Sequence, residues 1–249
     1  MTKTIQELLE KHKYWLDSFG DFSTRLTTDL LNYVYFDKSK DLYRADLRGA
    51  DLQKADLSGV NLQQANLQGA DLEGAKLRKA NLTEANLEEA YLEGANLQGA
   101  NLRRANLKGA DLQYAKLQLA NLSWADLHGA NLQVADLYRA DLFSANLQTA
   151  DLRWTKLRWA KLQIAKLKLA DLEEANLSNA DLRGANLYRA DLSKANLYMA
   201  NLRGVDFCKA YFYDVKIEGA DLIGANIARA YMCQKDIDLL LSKGAIIND

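Results

Sequence analysis

The chain has 249 residues, and its 32 Lys and Arg residues nearly balance 33 Asp and Glu residues, for a formal net charge of −1. This balance disfavours a nucleic-acid-binding protein, which needs a basic surface. No apolar run reaches the roughly 20 residues of a membrane-spanning helix, and the first residues lack a signal-peptide core. We therefore expect one soluble, elongated, cytoplasmic domain.

Two helices are predicted before any repeat begins. Thr4-Ile5-Gln6-Glu7 fits a capping box, and apolar residues follow at helical spacing as far as Gly20. A second helix is predicted from about Ser23 to Tyr35. We expect residues 1–39 to form a helical cap, because the open end of a repeat array exposes apolar core and unpaired backbone.

A five-residue repeat then runs without a gap from Asp41 to Met232. Each unit has a small position, almost always Ala, a polar position, mostly Asp or Asn, a central position and two variable positions. Every central residue from Leu42 to Leu202 is Leu, and the later central residues are Phe207, Phe212, Ile217, Leu222, Ile227 and Met232. A strict period is itself a structural signal.

Neither an α-helix nor a flat sheet can use a period of five. On a helix, five residues advance about 500°, so the Leu residues would wander around the surface and bury no stripe. In a straight strand, an odd period would move Leu from one face to the other at each repeat. The repeat therefore predicts an all-β solenoid, in which each unit adopts one shape and turns once.

The Ala-(Asp/Asn)-Leu-x-x units, over residues 40–233, resemble those of the pentapeptide repeat proteins, which are abundant in cyanobacteria. The resemblance implies a right-handed quadrilateral (four-sided) β-helix, with one pentapeptide per side and four per coil. Residues 20 apart should then stack, and the 39 central positions would form nearly ten coils. The interior, filled by Leu, leaves no room for a cofactor.

Residues 234–249 are predicted to form a C-terminal cap and tail. Asp236 to Lys243, followed by Gly244, fits a short helix with a Gly stop. The alternative is a C-terminal dimer, which the resemblance to topoisomerase-interacting family members implies, so monomer and dimer both stay open. The residues of this alternative are Leu240, Leu241, Ile246 and Ile247.

Nothing in the chain indicates enzyme chemistry. His12 falls on a predicted helix and His128 at a variable position, with no partner at the spacing of a metal site or a catalytic triad. The acidic residues are spread along a convex rod instead of gathering in a cleft, and no Gly-rich phosphate loop is present. We expect a non-enzymatic protein without cofactor or metal.

The outward positions change character in the middle of the chain. Between Tyr114 and Leu169, eight of twelve second variable positions are apolar, and Lys replaces Asp or Asn at three successive polar positions. An exposed apolar surface of this extent usually marks an interface. We call these apolar and basic residues the central patch: Tyr114, Leu119, Trp124, Val134, Phe143, Trp154, Lys156, Arg158, Trp159, Lys161, Ile164 and Lys166.

Three interpretations of the central patch compete. Lys and Arg stems could simply cover the Trp faces, with no partner. The patch could bind another protein or a second copy of the chain. It could also bind nucleic acid or an anionic membrane, although one basic coil is a small footprint. We favour a structural or protein-interaction scaffold without a membrane span.

The resemblance implies one further alternative, a DNA mimic that modulates a type II topoisomerase (gyrase) and confers inhibitor resistance. Six Asp residues on one side of the predicted rod would form the acidic column that such mimicry needs. Lys residues at the equivalent sites of the adjacent side and the near-zero net charge count against it. These lysines are Lys76, Lys116, Lys156 and Lys216. The six are Asp51, Asp71, Asp111, Asp151, Asp171 and Asp191.

Overall fold

The computed structural model describes residues 42–248, so the predicted N-terminal cap lies outside the described residues. Parallel β-bridges join residues 20 apart, from Asp46 with Asn66 to Asn226 with Ile246. Four pentapeptides therefore complete one coil, and the described repeat is a four-sided β-helix. Each side contributes a single bridged residue, at the polar position, so no described strand is longer than one bridge.

Every corner of the coil is a tight turn of the same kind. From Ala45 to Ala210, the N–H of each small residue donates back to the preceding central residue, as from Ala170 to the Leu167 carbonyl at 3.0 Å. All 38 second variable residues from Arg44 to Arg229 have φ between +51° and +71°. Positive φ at the third residue is the signature of a type II turn, and it redirects the chain by one side.

The polar position owes its Asp and Asn residues to this corner. From Asp46 to Asn226, each Asp or Asn at a polar position accepts, through Oδ1, the N–H of the first variable residue, at 2.8–3.4 Å. Short side chains suit this local bond, which satisfies a turn N–H that no bridge reaches.

The small and central residues point inward and form one continuous core. Leu side chains from Leu62 to Leu137 are fully buried, and the intervening Ala residues let the backbone pass close to them. Thr155 is the one hydroxyl at a small position, and it is also buried. Its Oγ1 donates to the Leu152 carbonyl at 2.6 Å, so the hydroxyl is satisfied within its own turn.

Helix α1, Gln234–Ser242, follows the last repeat and begins two residues before the predicted start. Leu240 is 2% exposed and joins the core, and Ile237 packs against it. After Gly244 the chain returns to the solenoid, where Ile246 bridges Asn226. Leu240 is therefore not available for the alternative C-terminal dimer contact, because its side chain faces the core.

Within residues 42–248, no helix combines the length and the apolar character that crossing a membrane requires.

We predict that Leu132→Ala lowers the free energy of unfolding by about 2–5 kcal/mol, because the fully buried side chain leaves a cavity that the neighbouring coils cannot fill. Urea and thermal denaturation followed by circular dichroism measure the loss. Leu119→Ala is the matched control, since Leu119 is 57% exposed at a corner, and its change should stay within about 0.5 kcal/mol. Equal losses in both variants would contradict the assignment of inward and outward positions.

Candidate functional site

The bridges place the apolar side chains of the central patch on three adjacent corners of the rod. Because residues 20 apart stack, each corner collects one column of second variable residues. We name the corners by their residues in the middle coils. The first corner holds Tyr114, Val134 and Trp154; the second Leu119, Arg139 and Trp159; the third Trp124, Ser144 and Ile164; and the fourth Gly129, Thr149 and Leu169.

Most of these corner side chains are open to solvent. Trp154 and Trp159 are 43% and 46% exposed, and Tyr114, Leu119, Trp124 and Ile164 are also exposed. Val134 and Phe143 are half-buried. The structure thus distributes the patch around the rod instead of gathering it on one flat face. A flat partner contacts two neighbouring corners at a time, and the first and second corners carry Trp154 and Trp159.

Local contacts cover the tryptophans only in part. The Arg153 guanidinium lies 5.4 Å from the centroid of the Trp154 ring, and the Trp154 Nε1–H donates to Glu174 at 3.2 Å. Trp124 meets Phe143 edge to face, with centroids 5.6 Å apart. These contacts hold the rings in place while roughly half of each surface stays accessible.

The three lysines of the patch lie on three successive sides of one coil. Lys156, Lys161 and Lys166 are exposed, and Lys161 pairs with Asp141 at 3.7 Å. A Lys side chain has no acceptor atom for the backbone N–H of the first variable residue. Within residues 42–248, the backbone N–H groups of Arg158, Gln163 and Lys168 therefore donate to no side chain at a polar position. The coil has therefore given up three corner hydrogen bonds.

Backbone strain is concentrated in the same coils. An L side chain in the left-handed region costs about 1–2 kcal/mol, and β-branched residues are the least suited to it. Val134 and Ile164 adopt φ of +62° and +51°, and Trp154 and Trp159 adopt +59° and +62°. Gly occupies 12 of the 38 corner sites but none between Gly129 and Gly184. The patch thus carries bulky residues where the backbone favours Gly.

Sequence reasoning missed this conformational requirement. The signal was present, because Gly recurs at the second variable position on both sides of the patch and never at the first. A repeated Gly at one place in a turn indicates positive φ. With that inference, the bulky residues from Val134 to Leu169 would have been recognised as sources of backbone strain as well as apolar residues.

The acidic column lies on the side between the fourth and first corners, where bridges join Asp151 to Asp171 and Asp171 to Asp191. Burial raises the pKa of Asp151, but hydrogen bonds from Arg153 outweigh it, and the pKa of that carboxyl lies below its usual value. Burial raises the pKa of Asp171, which lies above its usual value. Arg153 also approaches Asp171 at 3.5 Å, and Tyr91 and Asn131 interrupt the column.

His128 is exposed beside the fourth corner, where its Nδ1 lies 3.4 Å from the Thr149 hydroxyl; His12 lies outside the described residues. In the described part of the chain, no group of three or more His, Cys, Asp or Glu side chains is placed to hold a metal ion. Cys208 and Cys233 are both free thiols.

The repeat matches the family model described as pentapeptide repeats, in eight copies that cover most of the solenoid. The chain belongs to the pentapeptide repeat family. Membership implies the right-handed form of the quadrilateral β-helix. The matched residues are 41–78, 55–94, 85–123, 120–158, 165–204 and 190–229.

Among solved structures, the chain is similar to HetL, a pentapeptide repeat protein involved in heterocyst differentiation regulation from the cyanobacterium Nostoc sp. strain PCC 7120. The two share 39% identity at a TM-score of 0.73, over 74% of this chain and 84% of HetL. It also matches QnrB1, a plasmid-mediated fluoroquinolone resistance protein, at 19% identity and a TM-score of 0.48, over 77% of this chain and 97% of that one. No curated protein matches the chain.

We predict that Val134→Gly and Ile164→Gly each raise the free energy of unfolding by about 1 kcal/mol, because Gly relieves the strain of a β-branched residue at positive φ. Urea denaturation of the purified variants measures the gain. Gly129→Val is the matched reverse change, and it should lower stability by a similar amount. A Cβ at Gly129 meets only the Thr149 hydroxyl, at 3.8 Å, so that loss reports strain and not a clash.

A loss of stability in both Gly variants would contradict this account. It would mean that the packing of Val134 and Ile164 against neighbouring coils outweighs the strain at their corners.

Proposed function

We propose that this protein is a non-enzymatic, cytoplasmic scaffold that binds a protein partner, either another protein or a second copy, through its central patch. The first and second corners, with Trp154 and Trp159, form the main contact. Lys156 and Arg158 lie on the side between those corners and supply positive charge beside the rings. Large, rigid aromatic anchors next to basic groups are typical of binding hot spots.

The proposal rests on one observation: the patch carries backbone strain and lacks corner hydrogen bonds. The solenoid needs only small or polar residues at its corners, and it uses them at most other sites. In the central coils it holds exposed Trp, Ile and Leu side chains at positive φ, and it lacks three corner hydrogen bonds where Lys replaces Asp or Asn. Residues that break local structural rules without a packing gain are candidates for function.

The proposed scaffold is a rod with covered ends. We propose a helical cap over residues 1–39, a β-helix of nearly ten coils over 40–233, and a C-terminal cap and tail over 234–249. Leu240 and Ile237 support the C-terminal cap, since both pack against the end of the core. At that end, the side chains of Leu241, Ile246 and Ile247 are exposed, so these residues are still available for the alternative C-terminal dimer.

We predict that replacing Trp154 and Trp159 together with Ser lowers affinity for the partner at least tenfold, because buried aromatic anchors are worth about 2 kcal/mol or more each. Affinity capture from the native host, followed by binding measurements with the captured protein, gives the readout. The melting temperature should stay close to that of the unaltered protein, since both side chains are exposed corner residues.

The matched control replaces Tyr198 and Met199 with Ser. These residues are 50% and 51% exposed but lie beyond the patch, so capture should be unaffected. If the Trp variant instead loses stability and the capture pattern does not change, the tryptophans are structural and the scaffold has no partner at these corners.

A DNA mimic that modulates a type II topoisomerase remains the second candidate function. The bridged run of Asp151, Asp171 and Asp191 favours it, while Arg153 neutralises part of that run. If the chain acts in this way, purified protein at micromolar concentration should change gyrase supercoiling or protect it from an inhibitor, and Asp171→Lys with Asp191→Lys should abolish the effect. Supercoiling that the protein leaves unchanged would remove this candidate.

A further inference from the structure

One side of the rod has a charge pattern that is complementary to itself. This side lies between the third and fourth corners, and we call it the Asp126 side. Its polar positions are joined in series by bridges from Asn86 through Asn106, Asp126 and Asn146 to Lys166. Asn86 and Lys166 are therefore each two coils from Asp126, in opposite directions along the rod.

Acidic residues flank one end of this series and basic residues flank the other. Glu88 and Glu89 follow Asn86, and Lys168 shares the end coil with Lys166. Within the described residues, none of these four side chains forms an ion pair; Glu88 accepts from the Asn106 amide, and Lys168 lies 5.6 Å from the Tyr188 ring.

The charges between the two ends are already paired within the chain. Arg104 pairs with Glu84 at 3.6 Å, and Lys108 pairs with Asp126 at 3.3 Å. Two coils on the C-terminal side of Asn106, around Asn146, the side carries only uncharged residues. Between the coils of Asn86 and Lys166, the free charges are thus confined to the two end coils, and they are opposite in sign.

An apolar edge marks the centre of the same side. Trp124, in the coil of Asp126, is exposed at the third corner and stacks edge to face with Phe143 in the next coil. A surface with an apolar centre and opposite charges at equal distances from it satisfies the condition for isologous pairing, in which a two-fold axis brings the same patch of both copies together.

We propose that two copies of this chain pair side by side and antiparallel through the Asp126 side, with the two-fold axis at the coil of Asp126. The axis brings Lys168 opposite Glu88 of the second copy, and this contact occurs twice. Trp124 meets Trp124 of the second copy near the axis. Lys166 adds positive charge close to the same Glu88. Within the five coils from Asn86 to Lys166, no free charge of one copy faces a free charge of the same sign.

The regular rise of the repeat lets this register hold along the whole contact. Both copies have the same rise of about 4.8 Å per coil, so contacts that match in one coil match in all. The axis lies near the midpoint of the described repeat, so about 40 Å of the two rods overlap. With a side about 10 Å wide, the pair buries about 800 Å² in total, which is below the roughly 1,200–2,000 Å² of stable specific interfaces. The dimer should therefore be weak and sensitive to salt.

Sedimentation equilibrium of the full chain at low and at high salt tests the proposal. The unaltered protein should dimerise reversibly, and salt should weaken the dimer. Lys168→Glu and Glu88→Lys should each weaken it about tenfold, because every substitution acts twice in the symmetric pair. The double variant that combines both changes restores the charge pairing, and its dissociation constant should return to within about threefold of the original.

Variants at other corners separate this inference from the proposed function. Trp124→Ser should weaken the dimer, whereas Trp154→Ser with Trp159→Ser should leave it intact while abolishing partner capture. Circular dichroism and melting temperature confirm that each variant is folded. Loss of the dimer in the Trp154 and Trp159 variant would overturn the inference but support self-association through the first and second corners.

Three further results would overturn the inference. The first is an unaltered protein that stays monomeric at low salt up to its solubility limit. The second is a double charge variant that remains as weak as the single ones. The third is a dimer whose dissociation constant is unchanged by both charge variants but which is lost in Ile247→Asp. That result would place the contact at the C-terminal end of the rod.

Discussion

The left-handed corner residue is the constraint on which the rest of this structure depends. Because φ is positive at the second variable position of each repeat, five residues complete one side and 20 residues close one coil. Closure brings Leu above Leu, aligns the bridges and leaves the polar position free to satisfy the turn with its Asp or Asn side chain. The core, the pairing and the preference for Asp and Asn all follow from this one local geometry.

The same constraint determines which surface residues fit the corners well and which lower the local stability. A corner tolerates many side chains because they point to solvent, but it does so at different cost, and Gly or Asn costs least. Where the chain holds Trp or Ile at a corner, or Lys at a polar position, local stability is lower than the fold permits. The outer surface can therefore be interpreted through its effect on stability as well as through its chemistry, and the corners that are both apolar and unfavourable for the backbone are concentrated in the central coils.

Much of the interior could be predicted from the sequence, and less of the surface. The period of five excluded helix and flat sheet, and the resemblance supplied the four sides, which the 20-residue bridges agree with. The pattern could not show that Leu240 faces the core, because a short amphipathic helix has two plausible apolar faces. The 20-residue stacking that the resemblance implies already placed the apolar residues of the patch in three neighbouring columns, and the bridges agree with that placement. It did not show that each of these columns runs along a corner with positive φ, because the turn type is not visible in the apolar pattern.

Because one pentapeptide is a quarter turn, the number of repeats between two surface features sets the angle between them around the rod. Removing a whole coil of 20 residues shortens the rod and keeps every later corner in its column. Removing five residues rotates everything beyond that point onto the neighbouring side. The length of the rod and the orientation of its surfaces therefore change together. Chains of this kind keep their surfaces aligned only when they gain or lose repeats in steps of four.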